Sequence, residues 1–109
     1  NIFIFLMLAI LTCKSPKNNA SDKDTIKFIN LFSTDSNQDV SCYRIPSLIM
    51  AKNGDLIAAI DERKINCGDL RTNKDINIVI RRSEDNGVTW SEIKTVADLP
   101  SGESASDPL

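Results

Sequence analysis

The 109-residue sequence contains no histidine. That removes the commonest metal ligand and the usual general base near neutral pH from this stretch of chain. Its three cysteines lack the paired spacing of a zinc site, and no histidine is present to complete one. Asp35-Ser36-Asn37-Gln38-Asp39 opens like a calcium loop, but the sixth position is not glycine and the twelfth is Pro46 rather than glutamate. No metal and no cofactor are therefore expected. A net charge of −2 offers no electrostatic case for a nucleic-acid partner. No convincing amphipathic helical period runs through the chain, and no segment repeats another.

A long apolar run occurs once, at positions 2–11, and is shorter than the roughly 20 residues a membrane-spanning helix needs. It fits the hydrophobic centre of a secretory signal peptide. No methionine and no basic residue precede it, so the sequence is expected to lack its true start. Cys13 follows in Ile10-Leu11-Thr12-Cys13. This resembles a bacterial lipoprotein site, where the thiol is lipidated and becomes the mature N-terminus. The pattern departs from the usual one in carrying Ile10 for leucine and Thr12 for a smaller residue. A simply cleaved signal or an unmodified cysteine is the alternative. Residues 1–13 are read as a signal peptide of lipoprotein type, and 14–25, rich in Lys, Asn, Ser and Asp, as a polar tether. Together they place the protein outside the cytoplasm, as a periplasmic, cell-surface or secreted protein. Its membrane contact is then a lipid anchor alone.

Beyond the tether, short apolar segments alternate with turn residues. Residues 26–32 partly alternate apolar and polar, as a half-buried strand does. Residues 42–51 form a second strand, and Asn53-Gly54 predicts a two-residue hairpin turn with positive φ at both positions. Residues 55–60 return as a short apolar strand. A charged loop at 61–75 leads to a β-branched strand at 76–83; a tight turn at 85–87 leads to a return strand at 90–96. The fold class is all-β.

Two motifs sharpen this reading. Ser83-Glu84-Asp85-Asn86-Gly87-Val88-Thr89-Trp90 is the Ser-x-Asp-x-Gly-x-Thr-Trp pattern known as an Asp box. Physically it is a turn device: Asp85 suits backbone N–H groups, Gly87 an unusual conformation, and Trp90 the space beneath the turn. Ser83 and Thr89 are expected to bond across the hairpin. Upstream lies Tyr43-Arg44-Ile45-Pro46. Arg44 sits within an apolar strand, where a charge is costly to bury unless paired. Its planar fork is suited to gripping a carboxylate with two bonds, a structural ion pair being the alternative.

In this order and spacing the motifs resemble the first blade of a bacterial exo-α-sialidase (neuraminidase), a six-bladed β-propeller. The resemblance covers 26–109 and implies one blade of a catalytic domain, truncated in this sequence. A lone blade is expected to leave its faces and edges uncovered. The resemblance implies that Arg44 is the first of three arginines clamping the sugar carboxylate. Asp69, 25 residues later in Cys67-Gly68-Asp69-Leu70, takes the place of the acid/base aspartate. Asp61 and Asp75 are competitors by residue type, and both read as strand-edge residues. Arg63 and Asp107 match positions facing the 4-hydroxyl of the sugar, a surface arginine being the alternative for Arg63. If Arg44 and Asp69 share a pocket, Cys42 and Cys67, each two residues upstream, come close. A disulfide between them is then expected, two free thiols being the alternative.

The activity implied is hydrolysis of terminal sialic acids from glycoproteins, glycolipids and oligosaccharides, with retention. Such enzymes use a tyrosine nucleophile paired with a glutamate, an exception to the two-carboxylate scheme. Tyr43, the single tyrosine, does not match that position. The nucleophile pair is expected beyond Leu109, and the 109-residue piece alone is expected to be inactive. A sialoglycan-binding propeller without catalysis, or a trans-sialidase, would share this first blade.

Overall fold

The computed structural model describes residues 26–100 and 102–108. The expected signal peptide, Cys13 and the tether lie outside the described residues. The described chain is all-β, with one short 3₁₀ turn at Thr34–Ser36 and four strands. These are β1 (Cys42–Met50), β2 (Leu56–Arg63), β3 (Ile76–Ser83) and β4 (Lys94–Ala97). They form one open antiparallel sheet in the order β1-β2-β3-β4, each strand beside its sequence neighbour. Such a meander needs only local connections.

Three strands fall close to their predicted places, and the differences have physical causes. β2 extends past Ile60 because the charged residues Asp61, Glu62 and Arg63 continue the ladder opposite Ile78, Asn77 and Ile76. β4 begins late because the preceding residues close the Asp-box turn: Ser91 exchanges bonds with Arg82 (2.8 Å through its N–H and 3.0 Å through its hydroxyl) before the chain diverges. No strand forms at 26–32, contrary to expectation. Its residues bond to no sheet edge, and Phe28 stands 89% exposed. Alternation supplied the pattern without a partner. Phe32 instead packs on Tyr43, with ring centroids 5.6 Å apart.

The β1–β2 connection also differs from expectation. Gly54 alone takes positive φ (92°), and Asn53 does not. Gly54 donates to the Ala51 carbonyl at 2.9 Å, and Ala51 to the Asp55 carbonyl at 2.8 Å. The turn is thus longer than two residues, with glycine at its single left-handed position. Asn53 serves through its side chain, accepting from the Asp55 N–H and donating to the Asp55 carboxylate. That carboxylate also receives two bonds from Arg82, tying the turn to the end of β3.

At the same end of the sheet the Asp box closes on itself. Asn86 and Gly87 both have positive φ. The Ser83 hydroxyl accepts from Gly87 N–H and donates to Asp85, each at 2.8 Å. Thr89 donates to Asp85 from its N–H (2.8 Å) and its hydroxyl (2.5 Å). Ser83 and Thr89 therefore meet through Asp85 rather than each other. Trp90 Nε1 finds the Gly87 carbonyl at 3.1 Å.

The apolar core is thin. Among the described residues only Val40, Ala58, Ile60, Ile76 and Val79 are buried hydrophobics, whereas seven polar or charged residues are buried. The apolar members of β2 and β3 fill the middle of the sheet, while β1 stands open, with Met50 68% exposed.

The hydroxyl and N–H of Thr89, with Ser83, hold Asp85 down from its ordinary 3.8 to about 2. A depressed acid stabilises the fold fully above its unfolded value and loses that contribution as pH falls through its folded value. Asp85→Asn is expected to lower the Tm at pH 7. The gap from wild type should narrow between about pH 4 and pH 2 in thermal melts.

Candidate functional site

At the opposite end of the sheet, the ladder breaks where the sequence places Ile45 and Pro46. Arg44 pairs with Asp61 and Ser47 with Ala59, so two residues of β1 oppose the single Ile60 of β2. This is a β-bulge, which accommodates a proline that has no N–H to give the ladder. Ile45 takes φ 57°, a conformation that β-branched residues rarely adopt. The bulge keeps Arg44 on the face that carries Asp61 and, two residues on, Arg63.

The loop joining β2 to β3 is bound by its own amides. Buried Asn73 donates to the Asn66 carbonyl at 2.6 Å and accepts from the Asp75 N–H at 3.1 Å. Asn66 reaches the Gly68 N–H at 2.6 Å and the Thr72 carbonyl at 3.1 Å. Thr72 and Asn73 N–H groups both bond to the Asp69 carbonyl. A disulfide joins Cys42 to Cys67, with Cα atoms 5.7 Å apart, and so fastens this loop to β1.

The fastened loop turns oxygen atoms toward both arginines. The Cys67 carbonyl accepts from Arg44 Nη1 at 2.9 Å and from Arg63 Nη1 at 3.1 Å. Arg63 Nη1 also reaches the Gly68 carbonyl at 2.6 Å. Asp69 Oδ1 receives Arg63 at 2.9 Å and Arg44 at 3.2 Å. Arg63 is 2% exposed and Asp69 76%, so the carboxylate projects to solvent over a buried guanidinium. Arg44, 44% exposed, lies between these extremes.

Charge follows from this geometry. Burial works against the Arg63 cation, but its bonds to Asp69 and Asp61 outweigh that and strengthen its hold on the proton. The Arg63 bond, then the Arg44 charge, keeps Asp69 below its ordinary 3.8. Both effects favour Asp69 as a carboxylate.

The segment 104–107 completes the arrangement. Ser104 accepts from the Ile76 N–H at 3.2 Å, and Ala105 donates to the Ile76 carbonyl at 2.9 Å. Ser106 and the Asp107 N–H then bond to Asp61 at 2.6 and 3.0 Å. Asp107 has φ 62°. Arg44, Arg63, Asp69 and Asp107 consequently line one open cleft of about 380 Å³, with Ile45, Leu70, Arg71 and Ser106. Its volume suits a small ligand. Three arginines against two aspartates in the lining favour an anionic one.

The structure thus gathers residues that the sequence separates by up to 63 positions, from Arg44 to Asp107. Arg63 is not a surface residue; it is the buried hinge of the site. Asp61 is not a strand-edge residue either, since it is fully buried and pairs with Arg63 at 3.0 Å. A carboxylate two residues before an arginine in one strand was the available signal, because both must face the same side. Asp75 stays exposed at the start of β3 and bonds through its backbone. Ser106 and Arg71 carried no sequence signal that singled them out.

Tyr43 points to the other face, where its hydroxyl donates to Glu62 at 3.3 Å. Burial, then the Glu62 charge, pushes its phenol above the ordinary range. A larger depression of about 780 Å³ lies at the Asp-box end, over Ile57, Ile80 and Trp90. Its Asp55 and Glu84 both pair with Arg82, and Lys94 also lines it.

No family model matches the chain.

The disulfide makes a direct prediction. Alkylation under denaturing conditions should modify Cys42 and Cys67 only after reduction, with intact mass rising by two hydrogens on reduction alone. Alkylation of both without reductant would show that the bridge is not formed.

Proposed function

We propose that this chain is the first blade of a six-bladed β-propeller and belongs to an exported exo-α-sialidase acting on terminal sialic acids of glycoproteins, glycolipids and oligosaccharides. The observation that supports this reading best is the convergence of Arg44, Arg63, Asp69 and Asp107 in one cleft. A disordered scatter of these four side chains would have argued against it. The four-stranded meander and its self-closed Asp box are compatible with a blade.

The chemistry follows from charge. A sialic acid presents a carboxylate on its anomeric carbon, and the half-exposed guanidinium of Arg44 at the cleft supports a role in binding it. Arg44 bonds to Asp69 at 3.2 Å. An incoming carboxylate would draw Arg44 away and set a second negative charge beside Asp69. Both changes raise the affinity of Asp69 for a proton, as a general acid for the leaving glycan requires. Once the glycan leaves, the deprotonated Asp69 can activate water. Tyr43 bonds to Glu62 on the face away from the cleft, which supports looking for the nucleophile elsewhere.

One observation favours a second reading. Asp69 sits in two ion pairs that stabilise its carboxylate, as suits a structural or ligand-binding role without proton transfer. A sialoglycan-binding propeller is that second reading.

Release of a fluorophore from a sialic acid conjugate by the full-length protein separates the two. The sialidase reading expects turnover by wild type. Asp69→Ala should lower kcat by about 10²–10⁴-fold. Arg44→Ala should act mainly on KM, raising it by about 10–100-fold for the lost charged bonds. Binding of sialosides without release would transfer support to the second reading.

A further inference from the structure

Asp61 presents no surface to solvent, yet it bonds to three residues that line the cleft. Its Oδ2 accepts from Arg63 Nη2 at 3.0 Å and from the Ser106 hydroxyl at 2.6 Å. Its Oδ1 accepts from the Asp107 N–H at 3.0 Å. These donors come from the end of β2 and from a segment 45 and 46 residues away. Arg63 and Asp107, both cleft residues, are thus held against one buried carboxylate.

Arg63 divides its guanidinium between two acids. Nη2 faces Asp61, while Nη1 faces Asp69 at 2.9 Å and the carbonyls of Cys67 and Gly68. The charged groups around Asp69 are Arg44 from β1, Arg63 from β2, Arg71 from its own loop and Asp107 from the C-terminal segment. Asp61 stands directly behind Arg63 and opposes its charge from within the sheet.

We propose that Asp61 is a positioning residue: it fixes Asp107 opposite the arginines and sets how much of the Arg63 charge is felt by Asp69. The first role stands on the geometry alone; the consequence for catalysis rests on the reading of Asp69 as a general acid. Replacing Asp61 by Asn leaves Arg63 with Asp69 as its single carboxylate partner. Asp69 then holds its negative charge more firmly and protonates at lower pH. The Asn side-chain NH₂ also opposes a donor, the Asp107 N–H at the Oδ1 position or Arg63 and the Ser106 hydroxyl at the Oδ2 position, so either Arg63 or the Ser106–Asp107 segment shifts.

The test uses the full-length protein as wild type, Asp61→Asn and Ser106→Ala, with three readouts. Carboxyl-carbon NMR follows the titration of Asp69, hydrogen exchange follows the Asp107 amide, and pH profiles follow sialoside turnover. Asp61→Asn is expected to lower the Asp69 midpoint and to shift the alkaline limb of kcat to lower pH. It should reduce kcat/KM at pH 7 by about a hundred-fold, the scale of a small misplacement of reacting groups. Ser106→Ala preserves the charge; it should leave the Asp69 midpoint unchanged and speed Asp107 exchange about ten-fold for the lost support of one hydrogen bond. An unchanged Asp69 midpoint in Asp61→Asn overturns the proposal, as does unchanged Asp107 exchange in Ser106→Ala. If Asp61→Asn does not fold, the Ser106→Ala exchange rate decides. If wild type releases no sialic acid, the sialidase reading fails, while titration and exchange still decide the role of Asp61.

Discussion

The burial of the Arg63 guanidinium at the end of β2 is the constraint around which this end of the molecule is organised. A cation so enclosed is tolerable only with charged partners and satisfied donors. Asp61 supplies the buried partner, Asp69 the exposed one, and the Cys67 and Gly68 carbonyls take further bonds. Only its Nε lacks a partner among the described residues. Meeting these demands requires the β2–β3 loop to curl back over the strand it has just left. The disulfide and the Asn66 and Asn73 bonds hold it there. The cleft is a consequence of satisfying this one charge.

The two ends of the sheet solve the problem of polar closure differently. At the Asp-box end, the turn is satisfied by residues within eight positions of one another, from Ser83 to Trp90. It is a local structure that needs little from the rest of the chain. At the cleft end, partners come from β1, β2, the long loop and the segment after β4. Such a site forms only if the whole sheet is in register. Between the two ends the apolar centre is small, and β1 leaves Leu48, Ile49 and Met50 exposed. Polar contacts therefore carry an unusual share of the structural definition.

Much of this was legible in the residues. The β-branched run of β3 and the Gly54 turn marked their elements because local sterics alone favour them there. The offsets of Cys42 and Cys67 to Arg44 and Asp69 suggest a bridge between them, and the structure joins the two. The strand expected at 26–32 was misread because alternation describes a face and carries no information about an edge to pair with. Asp61 reads as a strand-edge residue for a related reason, whereas it is buried against Arg63. Charged residues at the end of an apolar strand read as its exposed boundary, and only pairing across space makes their burial affordable.

By itself the sequence determined the all-β class and the Asp-box turn. Each of these depends on side-chain chemistry and on neighbours within a few positions. The tertiary structure alone decided that β2 runs on through Asp61 to Arg63 and that Ile45 bulges. It also decided that Ser106 and Asp107 return to a carboxylate more than forty residues behind them. Those outcomes rest on the register between strands and on the mutual satisfaction of buried charge, and neither is written in any local stretch of the chain.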